Sequence, residues 1–348
     1  MDRATGSAKP STGKKLALAV AASLVALCAA EVLIRLLGVA PTIYPIQKGR
    51  FRLSHNPKIG YEPVPLTYRG SELGFYDYRG ASNSLGYRDV EHAVAKTPGT
   101  YRIVVLGNSV AAGLGVDRFD DTFPALLERL LAARGQKAEV INLAVSGYNP
   151  QQQVETLKDR GLRYRPDLVL VAYTLTARQR LDGDIMKTLL AAEAEKGGVS
   201  TARFDSVLTR SALYRLLRFR VLRPHAARGE AEANAQRYLA AVSGDTVAPA
   251  FDELAELQRD HAFDVLVAVF PRLVRDFRDY RFAADHRFVH DLAQRRGFRL
   301  LDLFDAFDRC RAAGGEPIEY DVYHPSAHGH RCAAEAMAAD ILDTLHRS

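Results

Sequence analysis

Two stretches of the chain carry residues whose types and spacing suit nucleophilic chemistry. In "YRIVVLGNSVAAGLGV", residues 101–116, an apolar run from Ile103 to Leu106 stops at Gly107, Asn108 and Ser109, and small residues continue through Gly113 and Gly115. In "EYDVYHPSAHGHRCAAEAM", residues 319–337, Asp321 stands three residues before His324, with Pro325 next and an amphipathic pattern after it. An aspartate and a histidine this close on one loop can form the orienter and the base of a triad. The carboxylate fixes the imidazole tautomer, and the imidazole takes the proton of a serine hydroxyl. The chain order is Ser, Asp, His. Taken alone, Gly-Asn-Ser is an ordinary turn; the second stretch gives Ser109 its weight.

Other uses of the glycine-rich loop fail on spacing. A phosphate loop needs G-x-x-x-x-G-K-[ST], and here Gly113 is followed by Leu114 without a lysine. The dinucleotide fingerprint lacks its third glycine. A G-x-S-x-G elbow is excluded because Ala111 stands at the second glycine position. What remains is a serine after a strand, near a helix start whose amides can stabilise an oxyanion.

His328 and His330 sit close to His324 and raise the question of a metal. No further histidine or carboxylate ligand is evident, so we expect no metal and no cofactor. His328 is expected in solvent and His330 in a structural hydrogen bond. The chain has three cysteines: Cys28 in an N-terminal apolar run, and Cys310 and Cys332, which bracket the Asp321–His324 loop. No C-x-x-C pair occurs, which removes zinc ribbons and thioredoxin-like motifs. In an oxidising compartment Cys310 and Cys332 can pair, restraining that loop by about 3 kcal/mol in the chain-entropy model. Two buried free thiols are the alternative.

The elements that must position these residues alternate from Tyr101 onward. Apolar runs of strand type occupy 101–107, 139–145, 167–173, 263–270 and 298–303. Helical patterns lie between them, notably "TFPALLERLLAARG", "PAFDELAELQRD" and "FVHDLAQRRG". Continuous apolar strands suit a parallel sheet covered on both faces, and the alternation predicts a doubly wound α/β fold. The interval from about 177 to 250 is too long for one crossover and reads as a helical insertion, expected to cap the strand C-termini where such sheets bind ligands. Within it, "LTRSALYRLLRFRVLRPHAAR" alternates leucines with arginines, a basic amphipathic pattern that suits either an active-site cap or an anionic membrane surface. Residues 40–100, rich in Pro, Gly, Tyr and Arg, read as short strands and turns packed on the main domain of residues 101–348.

The N-terminus has the pattern of an anchor. Residues 1–15, expected to be a cytoplasmic tail, carry Arg3, Lys9, Lys14 and Lys15 against Asp2, and residues 16–39 are apolar except for Ser23, Glu31 and Arg35. At about 1.5 Å per residue that run crosses a hydrocarbon core of about 30 Å. Glu31 and Arg35 are spaced to pair along a helix. Basic residues before the helix keep the tail inside and send the remainder across the membrane. The alternative is a signal peptide cleaved after Ala30. The apolar character continues past that point, which favours a retained single-pass anchor in the inner (cytoplasmic) membrane. The net charge of +6 permits nucleic-acid binding, but the arginines are scattered and no nucleic-acid module is recognisable, so none is expected.

With these residues in view, the chain resembles the SGNH (GDSL-type) hydrolase family, in particular bacterial members with an N-terminal membrane helix, in which "NSLGYRD" and "GTYRIVVLG" segments recur. The resemblance covers roughly residues 84–177 and 263–345. It implies a three-layer α/β/α fold, a five-stranded parallel sheet, and Ser109 as nucleophile with His324 as base and Asp321 as its partner. It further implies an oxyanion hole made by the amides of Ser109 and Gly147, the latter in "NLAVSGYN". Two positions depart from the family. Asn108 stands where its first motif has Asp. Thr176 and Ala177 stand where its third motif has Asn-Asp, so Thr176 takes the place of the third oxyanion donor. Losing one such donor costs about 10²–10³ in rate. The implied substrate is a carboxylic ester or other acylated molecule; an outward-facing anchored domain makes envelope glycan or lipid the candidate class. Acyl transfer to such an acceptor uses the same machinery, and an inactive scaffold is the remaining alternative.

Overall fold

The computed structural model describes residues 12–37, 51–54, 56, 58–64, 82–177, 211–217 and 245–347. The expected cap therefore lies mostly outside the described residues, as does "GSELGFYDYRG". These residues fall into two compact units. The first contains the apolar helix α1 (Thr12–Leu37) and a short helix from the insertion, α4 (Ala212–Leu216). Residues 13–37 of α1 are long and apolar enough to cross a membrane, and leucines along the helix are open to the surroundings. Glu31 and Arg35 pair at 2.6 Å. Glu31 also accepts from Ser211 Oγ at 2.7 Å and from the N–H groups of Ala212 and Leu213, both at 2.8 Å. The described part of the insertion is thus held by α1.

The second unit is built on a five-stranded sheet. Its strands are β3 (Tyr101–Leu106), β4 (Ala138–Asn142), β5 (Leu168–Thr174), β6 (Asp264–Phe270) and β7 (Arg299–Asp302), numbered after a small antiparallel hairpin, β1 (Phe51–Leu53) and β2 (Tyr61–Pro63). The order is β4-β3-β5-β6-β7 with every pairing parallel. This is the doubly wound α/β arrangement expected from the alternation. Side chains alternate between faces, so each strand supplies two cores. Val104, Leu106, Val169, Val171, Val265 and Val267 face one side, under α3 (Pro150–Thr156), α5 (Val247–His261) and α6 (Ala283–Arg295). Ile103, Val105, Leu168, Leu170, Leu266 and Ala268 face the other, under α2 (Phe123–Ala133), α7 (Phe304–Ala312) and α8 (Ala327–Arg347). Because β4 and β5 flank β3 on opposite sides, the loops after β3 and β5 diverge and leave a crevice between them.

β4 ends at Asn142, three residues before its apolar run does. The Asn142 N–H donates to Asp89 Oδ2 at 2.7 Å and its side-chain amide to Ala111 O at 2.9 Å. The segment from 82 to 100 is therefore bonded to the sheet. The hairpin is bonded too: Tyr61 Oη donates to Ser146 O at 2.8 Å, and Gln152 Nε2 to Ile59 O at 2.7 Å.

Arg102, with no solvent exposure, holds the end of this segment. Its Nε donates to Glu139 Oε2 at 2.7 Å. Its terminal nitrogens donate to the carbonyls of Val94 and Tyr164 at 2.9 Å, Ala93 at 2.6 Å and Ala95 at 3.1 Å. Removing such a guanidinium leaves several acceptors without a donor. Arg102→Met should destabilise the domain by about 3–5 kcal/mol. Because the chain has no tryptophan, urea unfolding followed by circular dichroism is the suitable measurement. An unchanged midpoint would contradict the assigned role.

Candidate active site

Ser109 lies three residues past the end of β3, in a turn fixed by its neighbour. Asn108 Oδ1 accepts from the Val110 N–H at 3.2 Å, which turns its Nδ2 toward Thr174 Oγ1 at 2.7 Å. The Ala112 and Leu114 N–H groups close back on Asn108 O and Ser109 O, both at 2.9 Å. Beyond the turn, the buried Arg88 of "NSLGYRD" donates to the carbonyls of Gly113 at 2.6 Å, Val116 at 2.8 Å and Asp117 at 3.0 Å. Ser109 is thus held from both sides.

The loop before α8 brings the other two residues. His324 Nε2 lies 2.9 Å from Ser109 Oγ, although 215 positions separate them in the chain. His324 Nδ1 lies 2.8 Å from Asp321 Oδ2 and 2.9 Å from Oδ1. An ionised carboxylate only accepts, so Nδ1 carries the proton and Nε2 is free to accept from the serine hydroxyl. Asp321 also accepts the N–H of Tyr323 at 2.7 Å and of His324 at 2.8 Å, both on Oδ1. Burial pushes the Asp321 carboxyl up, but these bonds and the His324 charge outweigh it, and the group sits below the usual carboxylate range. Outside the loop, the Leu273 N–H donates to Val322 O at 3.0 Å. Cys310 and Cys332 are joined by a disulfide across 22 residues, tying α7 to α8. Gly329 lets the chain cross close by: an added Cβ would lie 2.1 Å from Ile318 O.

The other expected residues sit around the crevice. Gly147, after β4, adopts a φ of +85°, a backbone region that favours glycine. The N–H groups of Ser109 and Gly147 donate to no acceptor among the described residues. Thr176, after β5, is buried with its Oγ1 2.8 Å from Thr174 Oγ1. Asn108, Thr174 and Thr176 thus form one hydrogen-bonded chain along the crevice.

Residues 105–173 match the model of the GDSL-like lipase/acylhydrolase family. That segment runs from β3 through Ser109 and Gly147 to β5. No curated protein matches the chain. Among solved structures, it is similar to an acetyl-xylooligosaccharide esterase from Geobacillus Stearmophilus, at 14% identity and a TM-score of 0.42, covering 69% of this chain and 94% of that one. It is similar to a lipase/acylhydrolase from Enterococcus faecalis at 14% identity and a TM-score of 0.41, covering 69% and 95%. A psychrotrophic esterase from Pseudoalteromonas sp. gives 13% identity and a TM-score of 0.39, covering 70% and 98%.

The remaining histidines do not gather around His324. His328 is half-buried rather than in solvent, and its Nδ1 donates to Glu316 O at 2.7 Å. It lies beside Cys310 and Cys332, whose sulfurs are committed to the disulfide. His330 has no exposure, and its Nδ1 accepts the Phe123 N–H at 3.0 Å. Phe123 opens α2, where the first amides lack partners within the helix, so His330 caps α2 from α8. The sequence reading missed Arg88 and Thr174. Each acts on partners distant in the chain, and the only local signal was the "NSLGYRD" segment that carries Arg88.

Burial, reinforced by the nearby Arg88 and His324 charges, holds the His330 imidazole down to about 3 from 6.5. Between those values the unfolded chain binds a proton that the folded chain refuses, so His330 makes stability fall as pH drops from about 6.5 toward 3. His330→Asn keeps an acceptor for Phe123 but cannot titrate there. Urea midpoints taken across this range should show wild type steeper in pH than the variant by up to about one proton. Equal slopes would contradict the assignment.

Proposed function

We propose that the chain is a membrane-anchored serine hydrolase acting on carboxylic esters, with its α/β domain outside the cytoplasm. The observation that carries this proposal is the contact chain from Ser109 Oγ to His324 Nε2 at 2.9 Å and from His324 Nδ1 to Asp321 Oδ2 at 2.8 Å. As Ser109 Oγ attacks the ester carbonyl carbon, its proton passes to His324 Nε2 and the carbonyl π electrons move to oxygen. The resulting oxyanion is received by the N–H groups of Ser109 and Gly147, which meet no acceptor among the described residues. Collapse expels the alcohol, which takes the proton from His324, and leaves the acyl group on Ser109. Water, deprotonated by His324, repeats the attack and releases the acid. No cofactor enters these steps.

Thr176 serves as the third donor through its neighbours. Thr174 Oγ1 accepts from Asn108 Nδ2 and shares a hydrogen bond with Thr176 Oγ1; with Thr174 as the donor in that bond, the Thr176 proton is left for the oxyanion. Membrane anchoring is supported by α1 and the basic residues before it. The Cys310–Cys332 disulfide suits an oxidising compartment, and hence an extracytoplasmic domain. Envelope glycans and lipids that carry acyl groups are the substrate class within reach of such a domain.

The full-length chain in detergent should hydrolyse p-nitrophenyl esters, and Ser109→Ala should lower kcat by about 10³-fold or more. No turnover by the folded wild-type chain on short or long acyl esters would contradict the proposal. Thr176→Val deletes the hydroxyl and keeps the shape, so kcat should fall by up to about 10²-fold with KM little changed. Equal kcat in a folded Thr176→Val variant would remove Thr176 from the oxyanion hole.

A further inference from the structure

Arg272 follows β6 by two residues, at the C-terminal end of the sheet, and is 8% exposed. Its guanidinium has no carboxylate or carbonyl acceptor among the described residues, and its Nε is sealed from solvent without a partner. Burying a cation in this way is costly unless something pairs with it. Two aromatic rings flank it: its Cζ lies 4.3 Å from the centre of the Tyr323 ring and 5.6 Å from that of Phe282. Tyr323 immediately precedes His324, and their rings are 6.3 Å apart. The cation is therefore separated from the candidate base by one aromatic side chain.

The backbone beneath Arg272 is fixed by groups that do not touch its charge. Its N–H donates to Tyr280 Oη at 3.0 Å, Tyr280 donates to His286 Nε2 at 2.7 Å, and His286 Nδ1 donates to Asp302 Oδ2 at 2.6 Å. The next residue, Leu273, is bonded to the His324 loop through Val322 O. This contrasts with Arg102, whose donors are taken by four carbonyls and a carboxylate. Arg272 is equally anchored, yet its fork of donors stays uncommitted. Stacking on an aromatic face leaves the in-plane N–H groups of a guanidinium available to a planar oxyanion.

We propose that Arg272 receives an oxyanion, carboxylate or phosphate in kind, carried by the substrate beside the ester that Ser109 attacks. The inference rests on the hydrolase proposal and adds a substrate class to it: esters of acidic molecules. The anion belongs either to the acyl chain or to the alcohol, and two substrate pairs separate these sources. One pair is p-nitrophenyl hemiglutarate against p-nitrophenyl butyrate; the other is O-acetylated glucuronic acid against O-acetylated glucose.

In the full-length chain, kcat/KM should favour the anionic member of at least one pair by about tenfold or more, chiefly through KM. Arg272→Met, which keeps an apolar stem between the rings, should bring that ratio toward one, and Arg272→Lys should keep part of it. A residue that merely props the His324 loop would lower both members alike and leave the ratio unchanged. Binding gives a second readout independent of turnover: glutarate or glucuronate should raise the melting temperature of Ser109→Ala, and not of the Ser109→Ala, Arg272→Met double variant. A wild-type chain that turns over neutral esters with no anionic preference in either pair would overturn the inference while sparing the hydrolase. Absent turnover with anion binding intact would do the reverse. An Arg272→Met variant that retains the wild-type ratio would also overturn it.

Discussion

One hydrogen bond, between Ser109 and His324, sets the demand that the rest of the second unit meets. Its two ends are 215 positions apart, and an imidazole can take a hydroxyl proton only at hydrogen-bonding range. The sheet brings the end of β3 to the crevice beside β5, and the Ser109 turn is held by Asn108 on one side and Arg88 on the other. The His324 loop is held by Asp321 from within, by Leu273 from the neighbouring loop and by the disulfide behind it. His330 then fastens the helix that follows His324 to the helix that follows Ser109. Most of these restraints act through backbone groups, which suits a site whose geometry must be set before a substrate arrives.

Buried arginines divide the labour in this domain according to what meets their donors. Arg102 and Arg88 spend theirs on carbonyls of segments that have little regular structure of their own, and so replace the ladders those segments lack. Arg272 is packed between rings and meets no acceptor among the described residues. Committing the terminal nitrogens of Arg88 and Arg102 to carbonyls while leaving the Arg272 fork open is in keeping with the anion site proposed for Arg272, one aromatic side chain away from His324.

The sheet was legible because buried parallel strands must be apolar along their whole length, as in "RIVVL", "DLVLVAY" and "DVLVAVF". Ser109, Asp321 and His324 were legible because their chemistry is scarce and two of them share one short loop. The Asn108–Thr174–Thr176 chain and the Arg272 setting were not, since each joins residues from different strands or loops and leaves no local pattern. The role of Glu31 was half legible: its pairing with Arg35 follows helical spacing, whereas its bonds to residues 211–213 depend on a chain crossing far along the sequence.

The central claim is that His324 makes Ser109 a nucleophile, and covalent capture tests it most directly. The folded full-length chain should take up one fluorophosphonate adduct, mapped by mass spectrometry to Ser109, and His324→Ala should take it up far more slowly. A folded wild-type chain left unlabelled at Ser109, or labelled there equally fast without His324, would contradict the account.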